Sequence, residues 1–192
     1  DEGLQVGDRF AFLAKNCTEM AIMYYAASKV GVVPVPLNYR LADQEWSYII
    51  NDSKAKLIIV KGNEYANRIN MIKPELLYVK KYVSIELEEP INDFSDFYNW
   101  ISDSLETKPA RNVIEEDDVY QMYTSGTTGH PKGAILLQRN VSANIRQYLD
   151  RLTLPSPSRT LLVAPMYHAA AMINMCGCIA LGGTIVIQED FI

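Results

Sequence analysis

Short apolar runs separated by helix-like segments recur through this chain, and that alternation limits the fold more than any other feature. Val32–Val35 (VVPV), Lys56–Val60 (KLIIV), Val119–Tyr123, Ala134–Leu137, Thr160–Ala164 and Thr184–Ile187 are too short to be helices and read as strands. Another strand is expected near Leu77–Ser84. Between them, helices are expected over Thr18–Val30, Asp43–Asn51, Glu64–Lys73, Asn140–Leu152 and Ala169–Leu181. Glu19 and Lys29 stand near opposite ends of the first helix, as its dipole prefers, and Gly31 ends it. Asp43 is a good N-cap for the second. Alternation of this kind favours an α/β fold with a largely parallel sheet covered by helices. A chain of 192 residues can bury the core of such a fold without staples.

Charge divides the chain. From Ser84 to Asp118 there are eleven acids and two bases, so this stretch carries −9 while the whole chain carries −5. It reads as a solvated connection between a first lobe, residues 1–111, and a second, residues 112–192. The acidic balance, with a pI near 5.1, gives no concentrated basic surface for nucleic acid. Leu161–Ile187 contains no Asp, Glu, Lys or Arg and is long enough to span a bilayer. Pro165, His168, Asn174, Gly177, Gly182 and Gly183 break it into strand, turn, helix, turn and strand, so a buried core is expected instead of a transmembrane segment. Three cysteines (Cys17, Cys176, Cys178) make no disulfide framework, which points to a reducing, cytoplasmic setting. Cys176-Gly177-Cys178 supplies too few ligands for a metal and reads as core thiols. The opening Asp1-Glu2-Gly3 and closing Phe191-Ile192 read as cut ends of a longer protein. No secretory signal pattern is visible.

The sharpest chemical feature is Tyr123–Ala134, YTSGTTGHPKGA. It gathers Gly126, Gly129 and Gly133, the hydroxyls of Thr124, Ser125, Thr127 and Thr128, and Lys132 in one loop between two strands. Glycines let backbone N–H groups approach anionic oxygens, hydroxyls add rotatable donors, and a lysine adds a point charge. A polyphosphate needs each of these. This is not a Walker A loop, because Lys132 is followed by Gly133 and a strand instead of Ser or Thr opening a helix. Pro131 also disfavours helix at His130. A Ser/Thr/Gly surface linker would share the composition, but not the place between apolar strands or the Pro-Lys-Gly exit.

This loop closely resembles the signature phosphate loop of the adenylate-forming, or AMP-binding, enzymes, which include acyl-CoA synthetases, aryl-CoA ligases, luciferases and peptide-synthetase adenylation domains. GVVPVPLNYRL (Gly31–Leu41), SKAKLIIV (Ser53–Val60), VAPMYHAAAM (Val163–Met172) and LGGTIVI (Leu181–Ile187) are also similar to that family. The LNYRL and PMYHAAAM wording looks most like a fatty-acid–CoA ligase. The resemblance implies that both lobes belong to one incomplete AMP-binding domain and that the reaction has two steps. A carboxylate, by this wording that of a fatty acid, attacks ATP to give an acyl adenylate and pyrophosphate; a thiol, usually of coenzyme A, then displaces AMP. By the same resemblance, Thr124, Ser125, Gly126, Thr127, Thr128, Gly129 and Lys132 would hold the β- and γ-phosphates, and Thr124 would approach Mg²⁺. Lys132 would neutralise developing charge.

His168 matches a family position near the acyl and thiol pocket, and reads as a pocket-wall and orienting residue; a satisfied core histidine is the competing reading. His130 falls where the family is variable and is expected to face solvent. The family's acid for Mg²⁺, its ribose aspartate, its hinge and its catalytic lysine all lie downstream of the segment matched here. This chain alone is therefore expected not to complete adenylation. Two other readings stay open: a non-catalytic nucleotide- or acyl-binding module, and an adenylation domain that loads a carrier-protein thiol.

Overall fold

The computed structural model describes residues 3–124, 129–151 and 158–190. Its elements run β1 (Arg9–Leu13), α1 (Thr18–Val30), β2 (Val33–Pro36), α2 (Asp43–Asp52), β3 (Leu57–Lys61), α3 (Asn63–Ile72), β4 (Lys81–Ile85), β5 (Phe94–Asp96) and α4 (Phe97–Ser102). After these come β6 (Asp118–Thr124), β7 (Lys132–Leu137), α5 (Gln138–Arg151), β8 (Arg159–Leu162), α6 (Ala169–Ala180) and β9 (Thr184–Ile187). The architecture is α/β. Five parallel strands form one sheet in the order β2-β1-β3-β4-β5; β8 and β9 pair in parallel, and β6 and β7 form an antiparallel pair.

Both faces of the five-stranded sheet are covered, which explains the continuous apolar runs. Side chains alternate across a strand. Phe10 and Phe12 of β1, with Leu57 and Ile59 of β3, face α1 and share a core with Tyr120, Met122, Met172 and Met175. Ala11, Leu13, Ile58 and Val60 face the other way, onto Trp46, Ile49 and Ile50 of α2 and Ala66 and Ile69 of α3.

β2 ends this sheet for a chemical reason. The Val33 and Leu37 amides donate inward, to Asp8 and Phe12 carbonyls beside β1. Alternation therefore turns the nitrogens of Pro34 and Pro36 to the outer edge, and proline has no hydrogen to donate. β6 lies alongside β2 yet does not join its ladder.

Several sequence expectations change. Asp43 is the first residue of α2; Ala42 is the N-cap, and its amide donates to the Glu45 carboxylate at 2.9 Å. The acidic stretch is not only a solvated connection: β5 extends the parallel sheet beside β4, and Phe97 of α4 is buried in the core. β1 was not among the expected strands, and β4 begins at Lys81, later than expected. The charge-free stretch divides into β8, α6 and β9, and among the described residues no helix is long and apolar enough to cross a membrane.

Gly31 closes α1 in the left-handed conformation, φ 74°, with its amide donating to Ala27 at 2.8 Å. The Arg111 guanidinium covers its Cα: a β-carbon there would lie 2.6 Å from Arg111 Cζ. Arg111 is itself held by Asp117 at 2.6 Å. Gly31→Ala therefore meets two penalties, left-handed strain of about 1–2 kcal/mol and displacement of this ion pair. A clear fall in the denaturant midpoint of the full-length variant is expected; an unchanged midpoint would contradict this packing.

Candidate functional site: a hairpin over a cleft

The glycine-rich segment joins β6 to β7 as the end of an antiparallel hairpin whose last pair is Thr124 opposite Lys132. Ser125, Gly126, Thr127 and Thr128 lie outside the described residues. Gly129 has φ 126°, a backbone conformation that a β-carbon disfavours. Gly133 is needed for space, not for its dihedral angles. It sits opposite Tyr123, and a β-carbon there would collide with the Gln121 amide and come within 2.9 Å of Tyr123 Cζ.

Two contacts tie the hairpin to α2. The Tyr123 hydroxyl donates to Asp52 at 2.6 Å and accepts from Gln121 Nε2 at 3.0 Å. Burial, then the bond to the Asp52 carboxylate, pushes this phenol well above its ordinary pKa, so it stays a donor at any physiological pH. The His130 ring stacks on Tyr48, with centroids 4.6 Å apart and planes 18° apart. His130 is exposed to solvent, but one face is occupied.

Beneath the hairpin is a cleft of about 580 Å³. Its walls come from Pro36 at the end of β2, from Asn38 and Leu41 after it, from Glu45 and Ile49 of α2, and from Met122, Tyr123 and Thr124 of β6. Gly129 and Pro131 of the hairpin, and Tyr167, His168 and Ala169 before and at the start of α6, complete them. The lining thus mixes apolar side chains (Leu41, Ile49, Met122) with polar ones (Asn38, Glu45, Thr124, His168). Thr124, Gly129 and His168 are brought together here. Lys132 is exposed at the foot of β7 and is not part of the cleft wall.

His168 is exposed, and so is not a satisfied core histidine. It caps α6: Nδ1 accepts from the Ala170 amide at 3.3 Å, which leaves Nε2 to carry the proton of the neutral ring. Tyr167 beside it meets Tyr39 edge-on at 5.5 Å. Cys178 is buried, Cys176 half-buried, and the thiol of buried Cys17 is pushed up to about 12 by desolvation, so Cys17 is not a nucleophile at neutral pH. Among the described residues, no cluster of three or more His, Cys, Asp or Glu could hold a metal.

Sequence reasoning gave no role to Tyr123 and Tyr167 inside the motifs it singled out, and missed Asp52 and Tyr48. Their partners lie far away along the chain, and no local spacing marks them.

The whole chain, residues 1–192, matches the family model described as AMP-binding enzyme. It is 32% identical over 198 residues to a long-chain-fatty-acid–CoA ligase, FadD13, of Mycobacterium tuberculosis, covering 98% of this chain and 36% of that protein. It is 31% identical to a feruloyl-CoA synthase of an Amycolatopsis species, covering 98% of this chain and 35% of that protein. Its fold superimposes on the inhibitor-bound N-terminal domain of FACL13 from M. tuberculosis with a TM-score of 0.87 and 30% identity, covering 99% of this chain and 46% of that one. The chain belongs to the AMP-binding enzyme family. It spans little more than a third of the length of these two relatives.

Packing beside the hairpin's last pair gives a direct test. Gly133→Ala is expected to push Tyr123 and Gln121 aside at a cost of about 1–3 kcal/mol, the range for overpacking. Denaturant unfolding of the full-length variant measures it; a loss below 0.5 kcal/mol, on the scale of an ordinary surface change, would contradict the close approach.

Proposed function

We propose that the protein carrying this chain activates a carboxylic acid with ATP and passes the acyl group to coenzyme A, and that a fatty acid is the substrate. The observation that carries this is that Thr124, Gly129 and Pro131, which flank or belong to the glycine- and hydroxyl-rich loop, line one cleft together with the apolar Leu41, Ile49 and Met122. Such a cleft suits a polyphosphate and an acyl chain. The names of the relatives, a fatty-acid–CoA ligase and an aryl-CoA synthase, support the same chemistry.

In this reading, residues 1–111 and 112–192 are two lobes of one AMP-binding unit. The acid's carboxylate oxygen attacks the α-phosphorus of ATP, the bond to the β-phosphate oxygen breaks, and pyrophosphate leaves. The thiolate sulfur of coenzyme A then forms a bond to the acyl carbon, and AMP leaves with the former carboxylate oxygen. Thr124, the segment 125–128 and the Gly129 backbone would donate hydrogen bonds to the β- and γ-phosphates, lowering the charge that builds on pyrophosphate as it departs. Lys132, exposed opposite Thr124, would add a positive charge from outside the wall.

Mg²⁺ favours phosphate and water oxygens with few protein ligands. The exposed Thr124 hydroxyl on the cleft wall is a hard oxygen donor that fits one such place, and the ion would supply charge neutralisation there. His168 would form part of the wall near the acyl carbon and orient it, with Nε2–H as a donor, and is not assigned as a base. A cytoplasmic setting, where ATP and coenzyme A are at hand, completes the reading.

Lys132→Ala in the full-length protein is expected to raise KM for ATP roughly 10- to 100-fold in acid-dependent ATP–pyrophosphate exchange. That is the value of one charge-assisted hydrogen bond. Kinetics equal to the unmodified protein would remove Lys132 from phosphate binding. Absence of acid-dependent exchange across fatty and aromatic acids in the unmodified protein would overturn the proposed activity.

A further inference from the structure

The turn that carries Tyr167 and His168 is held in place by two buried side chains from the other end of the chain. Within the turn, the His168 amide donates to Pro165 at 2.9 Å and the Ala171 amide to His168 at 3.0 Å. These bonds shape the turn but do not fix where it sits. Asn16, just past β1, fixes its place: Nδ2 donates to the Ala164 carbonyl at 3.1 Å and the Gln188 carbonyl at 3.0 Å, and Oδ1 accepts from the Met166 amide at 2.7 Å. Its own amide donates to the Glu189 carbonyl at 3.1 Å. Tyr24 of α1 completes the clamp, its hydroxyl donating to the Met166 carbonyl at 3.0 Å. Both backbone groups of Met166, the residue before Tyr167, are thus held by side chains about 140–150 positions away in sequence.

The chemistry is specific to the carboxamide. Two donors and an acceptor in one plane meet two carbonyls and an amide; aspartate would turn a lone pair toward the carbonyls, and an apolar residue would leave all three groups unpaired. Asn16 is 5% exposed, Tyr24 5% and Met166 1%, so water does not substitute for the lost partners. Burial, with the neighbouring Tyr120 ring, raises the Tyr24 pKa, so its hydroxyl remains a donor. Its ring also meets Tyr120 of β6 edge-on at 6.3 Å, which joins the clamp to the strand that leads into the hairpin.

We infer that Asn16 and Tyr24 are positioning residues for acid activation: they set the Met166 backbone, and through it the cleft-wall placement of Tyr167 and His168. This rests on the activity proposed above. Neither residue lines the cleft.

The test uses the full-length protein with Tyr24→Phe, which keeps the ring and removes one oxygen, and Asn16→Asp, which keeps size and removes two donors. Two readouts are combined: amide hydrogen–deuterium exchange over residues 163–172, and steady-state kinetics with acid and ATP varied separately. Tyr24→Phe is expected to speed amide exchange in 163–172 about tenfold, as loss of one buried hydrogen bond would, and to leave residues 44–72 unchanged. It should lower kcat/KM for the acid about tenfold with KM for ATP unchanged. Combined with His168→Ala it should cost much less than the product of the two single effects.

Unchanged amide exchange overturns the clamp. Faster amide exchange with unchanged acid kinetics, or with effects that multiply, overturns the positioning role and leaves a structural one. If Asn16→Asp fails to fold, Tyr24→Phe carries the result. An unmodified protein that activates no acid overturns the activity reading alone, and amide exchange still decides whether the clamp exists.

Discussion

The cleft exists because the first sheet stops at β2. With Pro34 and Pro36 directed to its outer edge, β2 offers the next strand no N–H donors. β6 therefore packs beside β2 without extending its ladder, and pairs instead with β7 as a hairpin. The gap left between two sheets that touch but do not merge is where Pro36, Leu41 and Ile49 face Met122, Tyr123 and Tyr167. Were these prolines replaced by residues with free amides, a continuous sheet would compete with this arrangement.

Holding the two sides of that gap in register falls to side chains. Tyr123 bonds Asp52, and His130 stacks on Tyr48, so α2 is tied to the hairpin at two places. Arg9 reaches both Gln121 and Asp118, tying β1 to β6. Asn16 and Tyr24 tie β1 and α1 to the turn before α6. The Asn16, Tyr24 and Arg9 ties use buried or half-buried polar groups whose loss leaves a partner unsatisfied. Such bonds fix geometry more than they add stability. The proposed acid activation, which needs two substrates placed within reach of each other, would gain most from this kind of fixing.

Much of the fold was legible in the sequence. Thr18–Val30 and Thr184–Ile187 were found to the residue, because charges of the right sign at its two ends and a glycine stop mark the first and turn glycines precede the second. β1 was missed although its apolar run Phe10–Leu13 is unbroken, and those four residues are buried. β5 and α4 were hidden by the acids around them; three residues of pairing and one buried phenylalanine outweigh a surface-like composition. At the site, the hairpin was legible because its glycines, hydroxyls and lysine are contiguous. Asn16 was not: a lone asparagine between strand and helix resembles any loop residue, and its function is visible only through carbonyls some 150–170 positions away. Gly133 was legible as a loop glycine, but its crowding by the Gln121 and Tyr123 side chains was not.

The most direct measurement of the proposed chemistry follows oxygen. A fatty acid labelled with ¹⁸O in its carboxyl group is given to the full-length protein with ATP, Mg²⁺ and coenzyme A, and the products are examined by mass spectrometry. Attack at the α-phosphorus followed by thiol displacement transfers one labelled oxygen to AMP, and that is the expected result. Label in inorganic phosphate with ADP formed, or unlabelled AMP beside a labelled thioester, would contradict an acyl adenylate formed at this cleft.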